Sequence, residues 1–175
     1  ICQSGSCPNM GECWSAGTAT FMILGNICTR SCGFCGVKTG RPDQVDWEEP
    51  EKVAKSIKQM QIKHAVLTSV DRDDLKDMGS IIWAETINAV RRIAPGVTME
   101  TLIPDFQGEE KIIDRIIEAA PEVISHNMET VKRLTRAVRI QAKYERSLGV
   151  LRYLKENGKS RTKTGIMLGF GETKE

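Results

Sequence analysis

The stretch "TATFMILGNICTRSCGFC", residues 18–35, joins a structural signal to a chemical one. Its first part, "TATFMILG" (18–25), is an apolar, partly β-branched run closed by glycine, which predicts a buried strand. Its second part, "CTRSCGFC", sets Cys28, Cys32 and Cys35 just beyond the carboxyl end of that strand. In sheets built by alternating strands and helices, chemistry gathers at those carboxyl ends. Whether this is such a sheet is decided by the rest of the chain.

Alternation continues to the end of the sequence. "PEKVAKSIKQMQI" predicts a helix with Val53, Ile57 and Met60 on one face and Pro50 in its first turn. "HAVLTSV" (64–70) is a strand. "SIIWAETINAVRRIAP" is a helix with Trp83, Ile87, Val90 and Ala94 inward, Ser80 as its cap and Pro95 as its stop. "VTMETLI" (97–103) is a strand, "GEEKIIDRIIEAAP" a helix with Ile112, Ile113, Ile116 and Ile117 inward, and "EVISH" (122–126) a strand. Two helices follow, "ETVKRLTRAVR" and "YERSLGVLRYLKENG", before a last strand, "TGIMLGF" (164–170). The fold class is therefore α/β with a parallel sheet, curved into a barrel or left open. Polar clusters sit at the strand ends, as "SVDRDD", "PDFQ", "HNMET" and "GFGE".

Composition narrows the function classes. A chain of 175 residues with 40% apolar content can bury a real core. The formal charge is +2 and the sign alternates along the chain, which argues for a solvated surface and against nucleic acid as a partner. The longest apolar run is far short of the roughly 20 residues a membrane span needs, and no export signal opens the chain. A cytoplasmic monomer is expected. The start at Ile1 and the lack of an evident stop at "GETKE" lead to the expectation of a fragment.

All six cysteines lie in the first 35 residues: Cys2, Cys7 and Cys13, then Cys28, Cys32 and Cys35. Disulfides would spread across a secreted fold, so a reducing compartment and a metal role are favoured. Structural zinc wants four protein ligands in short-spaced pairs, and Cys7 and Cys13 are too far apart for the second pair. A redox Cys-x-x-Cys leaves Cys28 without a purpose. Iron–sulfur ligation fits the short glycine-relieved loop better. Three thiolates can hold three corners of a cubane, leaving one iron open to substrate.

With these residues in view, the chain resembles the lipoyl synthase family of the radical S-adenosylmethionine (SAM) superfamily. "CTRSCGFC" is similar to that superfamily's C-x3-C-x-aromatic-C loop, and "CQSGSCPNMGEC" has the family's C-x4-C-x5-C spacing. "CGVKTGRP", "TSVDRDDL", "LIPDFQG", "HNMETV" and "KTGIMLGFGET" extend the resemblance over nearly the whole chain. It implies a partial (β/α) TIM-like barrel, truncated before its last strand. An auxiliary-cluster segment (1–16), with an N-terminal cluster-binding loop, would precede the barrel domain (17–175). The reaction implied is insertion of two sulfur atoms at C6 and C8 of a protein-bound octanoyl-lysine. Two 4Fe-4S clusters would serve it, one held by Cys28, Cys32 and Cys35 and binding SAM. The other, held by Cys2, Cys7 and Cys13, would supply sulfur, its fourth ligand being a serine beyond the chain end.

For SAM, the resemblance implies Phe34, Thr68, Ser69, Asn127, Glu129, Met167 and Gly169, the last two in the adenine-lining "GIMLGFGE". Asp71 and Arg72 are the candidate catalytic groups, facing the octanoyl chain or its carrier. Plainer readings stand beside these. Thr68 and Ser69 could satisfy loop backbone, Asn127 and Glu172 could cap helices, and the Asp71–Asp74 run could be a solvated loop. His126 is as readily a packed strand-end residue as a ligand. The implied partners are an octanoylated carrier (a dehydrogenase-complex acyltransferase or the glycine-cleavage H protein), a ferredoxin or flavodoxin, and an iron–sulfur carrier. The alternatives are another two-cluster sulfur-inserting enzyme, biotin-synthase-like, or a non-catalytic metal-binding module.

Overall fold

In the computed structural model, residues 10–173 are described. A short helix, α1 (Met10–Ser15), leads into β1 (Thr18–Ile23). The cysteine loop carries two minimal strands, β2 (Ile27–Cys28) and β3 (Lys38–Thr39), which pair with each other. Then come α2 (Glu49–Gln59), β4 (His64–Ser69), α3 (Ser80–Ile93), β5 (Thr98–Leu102), α4 (Glu110–Ala119) and β6 (Val123–Ser125). Two further helices, α5 (Lys132–Val138) and α6 (Tyr144–Asn157), precede β7 (Arg161–Lys163).

The main sheet has the order β1-β4-β5-β6-β7, and every pairing in it is parallel. Each new strand joins on the same side of the one before it. Right-handed crossovers then place the connecting helices on one face, which is barrel winding; a doubly wound sheet reverses its order at a switch point. The sheet is thus part of a (β/α) barrel.

Register sorts the side chains into two faces. One row, Phe21, Leu67, Thr101, Ile124 and Thr162, crosses all five strands toward the helices. Against this face pack Ile57 of α2, Trp83, Ile87 and Val90 of α3, Ile113 and Ile116 of α4, and Val150 and Leu154 of α6, all buried. Each such side chain contributes roughly 1.5–3 kcal/mol by leaving water. The next row, Met22, Thr68, Leu102, Ser125 and Lys163, faces the barrel interior. Two register positions down, on the same face, Glu100 is clasped there by Ser125 Oγ at 2.7 Å and Lys163 Nζ at 2.9 Å.

Four expectations need correction. Met60 caps α2 and is exposed: the helix ends at Gln59, Gln61 at φ 53° turns the chain, and Ile62 is buried instead. Ser80 does not cap α3: Gly79, at φ 81°, holds the N-cap position, and Ser80 is fully buried with its hydroxyl accepting from Arg115 at 2.8 Å. The last strand is Arg161–Lys163, not 164–170. Its partner β6 ends at Ser125, and Glu129, at φ 61°, turns the chain so that only Ile166 bridges back to it. Cys13 lies within α1, so the described end of the amino-terminal segment is helical where a loop was expected; Cys2 and Cys7 lie outside the described residues.

Candidate functional site

The loops at the carboxyl ends of β1, β4, β5 and β6 line an open cavity of about 180 Å³. Cys28, Cys32 and Cys35 line it together, and all three thiols are free. The Cys28 sulfur accepts backbone N–H bonds from Arg30 at 3.4 Å and Asp71 at 3.2 Å, and its thiol points to Asp71 Oδ2 at 3.7 Å. Cys32 is held by a bridge to Arg139, and Gly33 N–H donates to the Val138 carbonyl at 2.9 Å. Burial pushes the Cys28 thiol above its ordinary pKa, and burial with the nearby Asp71 charge pushes Cys32 up to about 11. These thiols are therefore neutral until a metal takes their protons.

Arg30, between Cys28 and Cys32, ties the cysteine loop to its neighbours. Its side chain is 6% exposed. It reaches Asp73 through Nε at 2.6 Å and Nη2 at 2.7 Å, Asp105 through Nη1 at 2.8 Å, and Asp71 at 3.4 Å. Asp105, buried after β5, also takes Arg146 of α6 at 3.1 Å. Burial would raise the Asp105 pKa, but the two guanidinium groups hold it below the usual carboxylate range. Asp71 goes the other way, raised chiefly by burial.

The opposite wall comes from β6 and the helices after it. His126 is buried, with Nδ1 on the Ile103 carbonyl and Nε2 on Ser147 Oγ, each at 2.9 Å. A carbonyl only accepts, so Nδ1 carries the proton and Nε2 accepts from Ser147. Burial keeps this imidazole neutral, below its ordinary pKa. Arg139 is also buried, donating to the Met128 carbonyl at 3.0 Å and Ser147 at 3.4 Å. Among the described residues it makes no ion pair with a carboxylate, so its charge is available to an anion in the cavity. Asn127 hydrogen-bonds Glu129, whose carboxyl is raised by burial.

Of the expected site residues, Phe34, Thr68, Ser69, Asp71, Asn127 and Glu129 join the three cysteines around the cavity. Thr68 faces the interior and donates to the Leu102 carbonyl at 3.4 Å. The Ser69 hydroxyl turns to the helix layer, where Trp83 Nε1 donates to it at 3.3 Å. Arg72 is buried away from the cavity lining, its guanidinium on Asp74 at 2.8 Å and on the Asp43 carbonyl at 3.1 Å. Met167 and Gly169 are outside the lining too; their segment meets the site through Phe170, whose ring lies 6.3 Å from that of Phe34. Arg30, Asp105 and Arg139 were not singled out in the sequence. Only Asp105 carried a signal, in the strand-end cluster "PDFQ".

The donor set fits an iron–sulfur cluster. Among the described residues no three His, Cys, Asp or Glu side chains are placed to hold a metal ion. Thiols spread round a cavity suit a polynuclear group, in which each takes a different iron. Backbone N–H bonds to Cys28 and the cation of Arg139 near Cys32 both favour bound thiolates.

Residues 22–175 match the Radical SAM superfamily. Across its whole length the chain is 81% identical to "Lipoyl synthase" of Christiangramia forsetii and 79% identical to "Lipoyl synthase, mitochondrial" of Nematostella vectensis, covering 60% of each. The chain thus spans about three-fifths of the length of these curated relatives. Among solved structures it superposes with TM-score 0.73 on the FeFe-hydrogenase maturase HydG from Carboxydothermus hydrogenoformans. There the identity is 18%, over 89% of this chain and 37% of that one. On methylornithine synthase (PylB) the TM-score is 0.66 at 16% identity, over 93% of this chain and 52% of that one. At such identities these two matches speak for the fold alone.

Proposed function

The chain belongs to the radical SAM superfamily, and from that premise we propose that it forms the greater part of a lipoyl synthase. The observation that carries this reading is the triad of thiols, Cys28, Cys32 and Cys35, gathered on one cavity at the carboxyl ends of a barrel sheet. The 81% identity to a protein of that name supports it. Residues 1–16 serve as the auxiliary-cluster segment, with Cys2, Cys7 and Cys13 as its thiolates, and residues 17–175 as the barrel. The substrate is an octanoyl-lysine on a carrier domain, and sulfur enters at C6 and C8.

An alkyl C–H is beyond the reach of side-chain bases, whose pKa values span roughly 4–12. When bound, a low-potential 4Fe-4S cluster supplies the electron that SAM cleavage requires. The chain's own residues do the rest. Cys28, Cys32 and Cys35 would hold the cluster. Arg139 offers its charge to the SAM carboxylate, and Glu129 with Asn127 offers acceptors to the ribose. Thr68 borders the methionine end, and Phe34, backed by Phe170, borders the adenine. Arg30 keeps the cysteine loop in place through Asp71, Asp73 and Asp105. Buried His126, held neutral, adds no second cation to this wall. The apolar rim, with Val37, Leu102 and Ile103, would shield the bound group from water.

Electrons come from a ferredoxin or flavodoxin, iron and sulfide from a carrier protein, and a reducing cytoplasm keeps the thiols free. The test uses protein carrying this chain at the full length of its relatives, reconstituted anaerobically. Incubated with SAM, a reductant and an octanoyl-lysine peptide, it yields 5′-deoxyadenosine and a product bearing two added sulfurs by mass spectrometry. Deoxyadenosine without sulfur insertion would assign the chain to another reaction of the superfamily.

A further inference from the structure

Residues 131–155, spanning α5, the following turn and most of α6, contain eight basic side chains against one acidic one, Glu145. The whole chain carries only +2, so the remainder is net acidic and the positive charge is concentrated here. Two of the eight are spent inward, Arg139 on Met128 and Ser147, Arg146 on Asp105. Lys132 pairs with Glu145, and Arg133 donates to the Gly171 carbonyl. Arg136, Lys143, Arg152 and Lys155 are exposed and have no carboxylate partner among the described residues.

Position makes this more than a solvated face. The same segment walls the cavity through Arg139 and Ala142. It is fastened to the cysteine loop, since Ser31 N–H donates to the Gln141 side chain at 3.3 Å and Gly33 N–H to Val138. Between Arg136 and Lys143, Ile140 stands 63% exposed, an apolar anchor inside a basic rim. A partner seated here would bring its substrate to the mouth of the cavity. We propose that the α5–α6 face is the docking surface for a folded, acidic protein domain that presents the acylated lysine. Positive charge at a mouth steers an acidic partner and fixes its register, while Ile140 supplies a contact that becomes dry on docking. The proposal rests on the lipoyl synthase reading for the identity of the substrate.

The test compares one octanoyl-lysine presented in two ways, on a short uncharged peptide and on a folded carrier domain of net negative charge. Arg136→Glu/Lys143→Glu is the variant; both side chains are exposed and unpaired, so the fold is kept. KM for the domain should rise about tenfold, equivalent to about 1.4 kcal/mol, with kcat changed less than about twofold and the peptide's KM unchanged. Raising salt from about 0.05 to about 0.5 M should weaken the domain alone, because screening shortens to a few ångströms. Anisotropy titration of the labelled domain onto cluster-free protein reads docking without turnover, so a failed enzyme assay leaves this inference testable. A domain KM and affinity equal in wild type and variant would overturn it. So would a loss shared by the peptide.

Discussion

Replacing Arg30 by Gln keeps a polar side chain of similar length and removes the cation shared by Asp71, Asp73 and Asp105. Asp73 is left with Thr29 and Gln107, and fully buried Asp105 with Arg146 and the Gln107 N–H. Breaking a buried ion pair by removing one partner costs about 3–5 kcal/mol. At roughly 2–4 °C per kcal/mol for a chain of this size, the melting temperature falls by about 6–20 °C. The loss should depend on pH with a definite sign. In the wild type the Asp105 pKa is held down, so its contribution is present above the unfolded value near ~3.9 and fades below it. In the variant only Arg146 and the Gln107 N–H still oppose burial, so the Asp105 pKa lies above its wild-type position and the gap between the proteins narrows as pH falls. Circular-dichroism melts of the reduced, cluster-free proteins would measure both effects. A melting temperature within about 3 °C of wild type, or a gap that stays constant with pH, would refute this account of Arg30.

Burial depresses the His126 pKa, so the unfolded chain binds the extra proton as pH drops below about 6.5. Denaturant melts should lose up to about 1.4 kcal/mol per pH unit below that point, and His126→Gln should flatten the slope. Ser69→Ala removes the acceptor of fully buried Trp83 Nε1, so stability should fall by about 1 kcal/mol while SAM affinity, by equilibrium dialysis, stays within about twofold. Thr68→Ala, on the cavity side, should weaken SAM instead. A Cβ at Gly165 would sit 2.9 Å from Asn127 Oδ1. Gly165→Ala should therefore displace that amide and weaken SAM binding about fivefold, the equivalent of one hydrogen bond of about 1 kcal/mol.

The barrel sheet was legible because β1, β4, β5 and β6 are short apolar runs and the helices between them keep a 3.6-residue period. β7 was misplaced for a physical reason. "TGIMLGF" is far more apolar than "RTK", yet pairing is fixed by where β6 ends, and a single-strand reading carries no information on its neighbour's length. The direction of Ser69 was within reach: Leu67 faces the helices, so period-2 alternation sends Ser69 the same way and Thr68 to the cavity. Arg30, Asp105 and Arg139 were not, because their roles arise from loops brought together across the barrel mouth. Arg139 in "AVRIQ" looks like any helix-end arginine until burial and the lack of a carboxylate partner mark it.

Low-temperature paramagnetic resonance of the reduced, reconstituted protein puts the cysteine triad on trial most directly. Wild-type protein should give a cluster signal that changes on adding SAM. The Cys28→Ala/Cys32→Ala/Cys35→Ala variant should lose about four irons per chain and that response while keeping its α/β circular-dichroism spectrum. A signal indifferent to SAM in the wild type, or a SAM response that survives in the triple variant, would contradict the assignment.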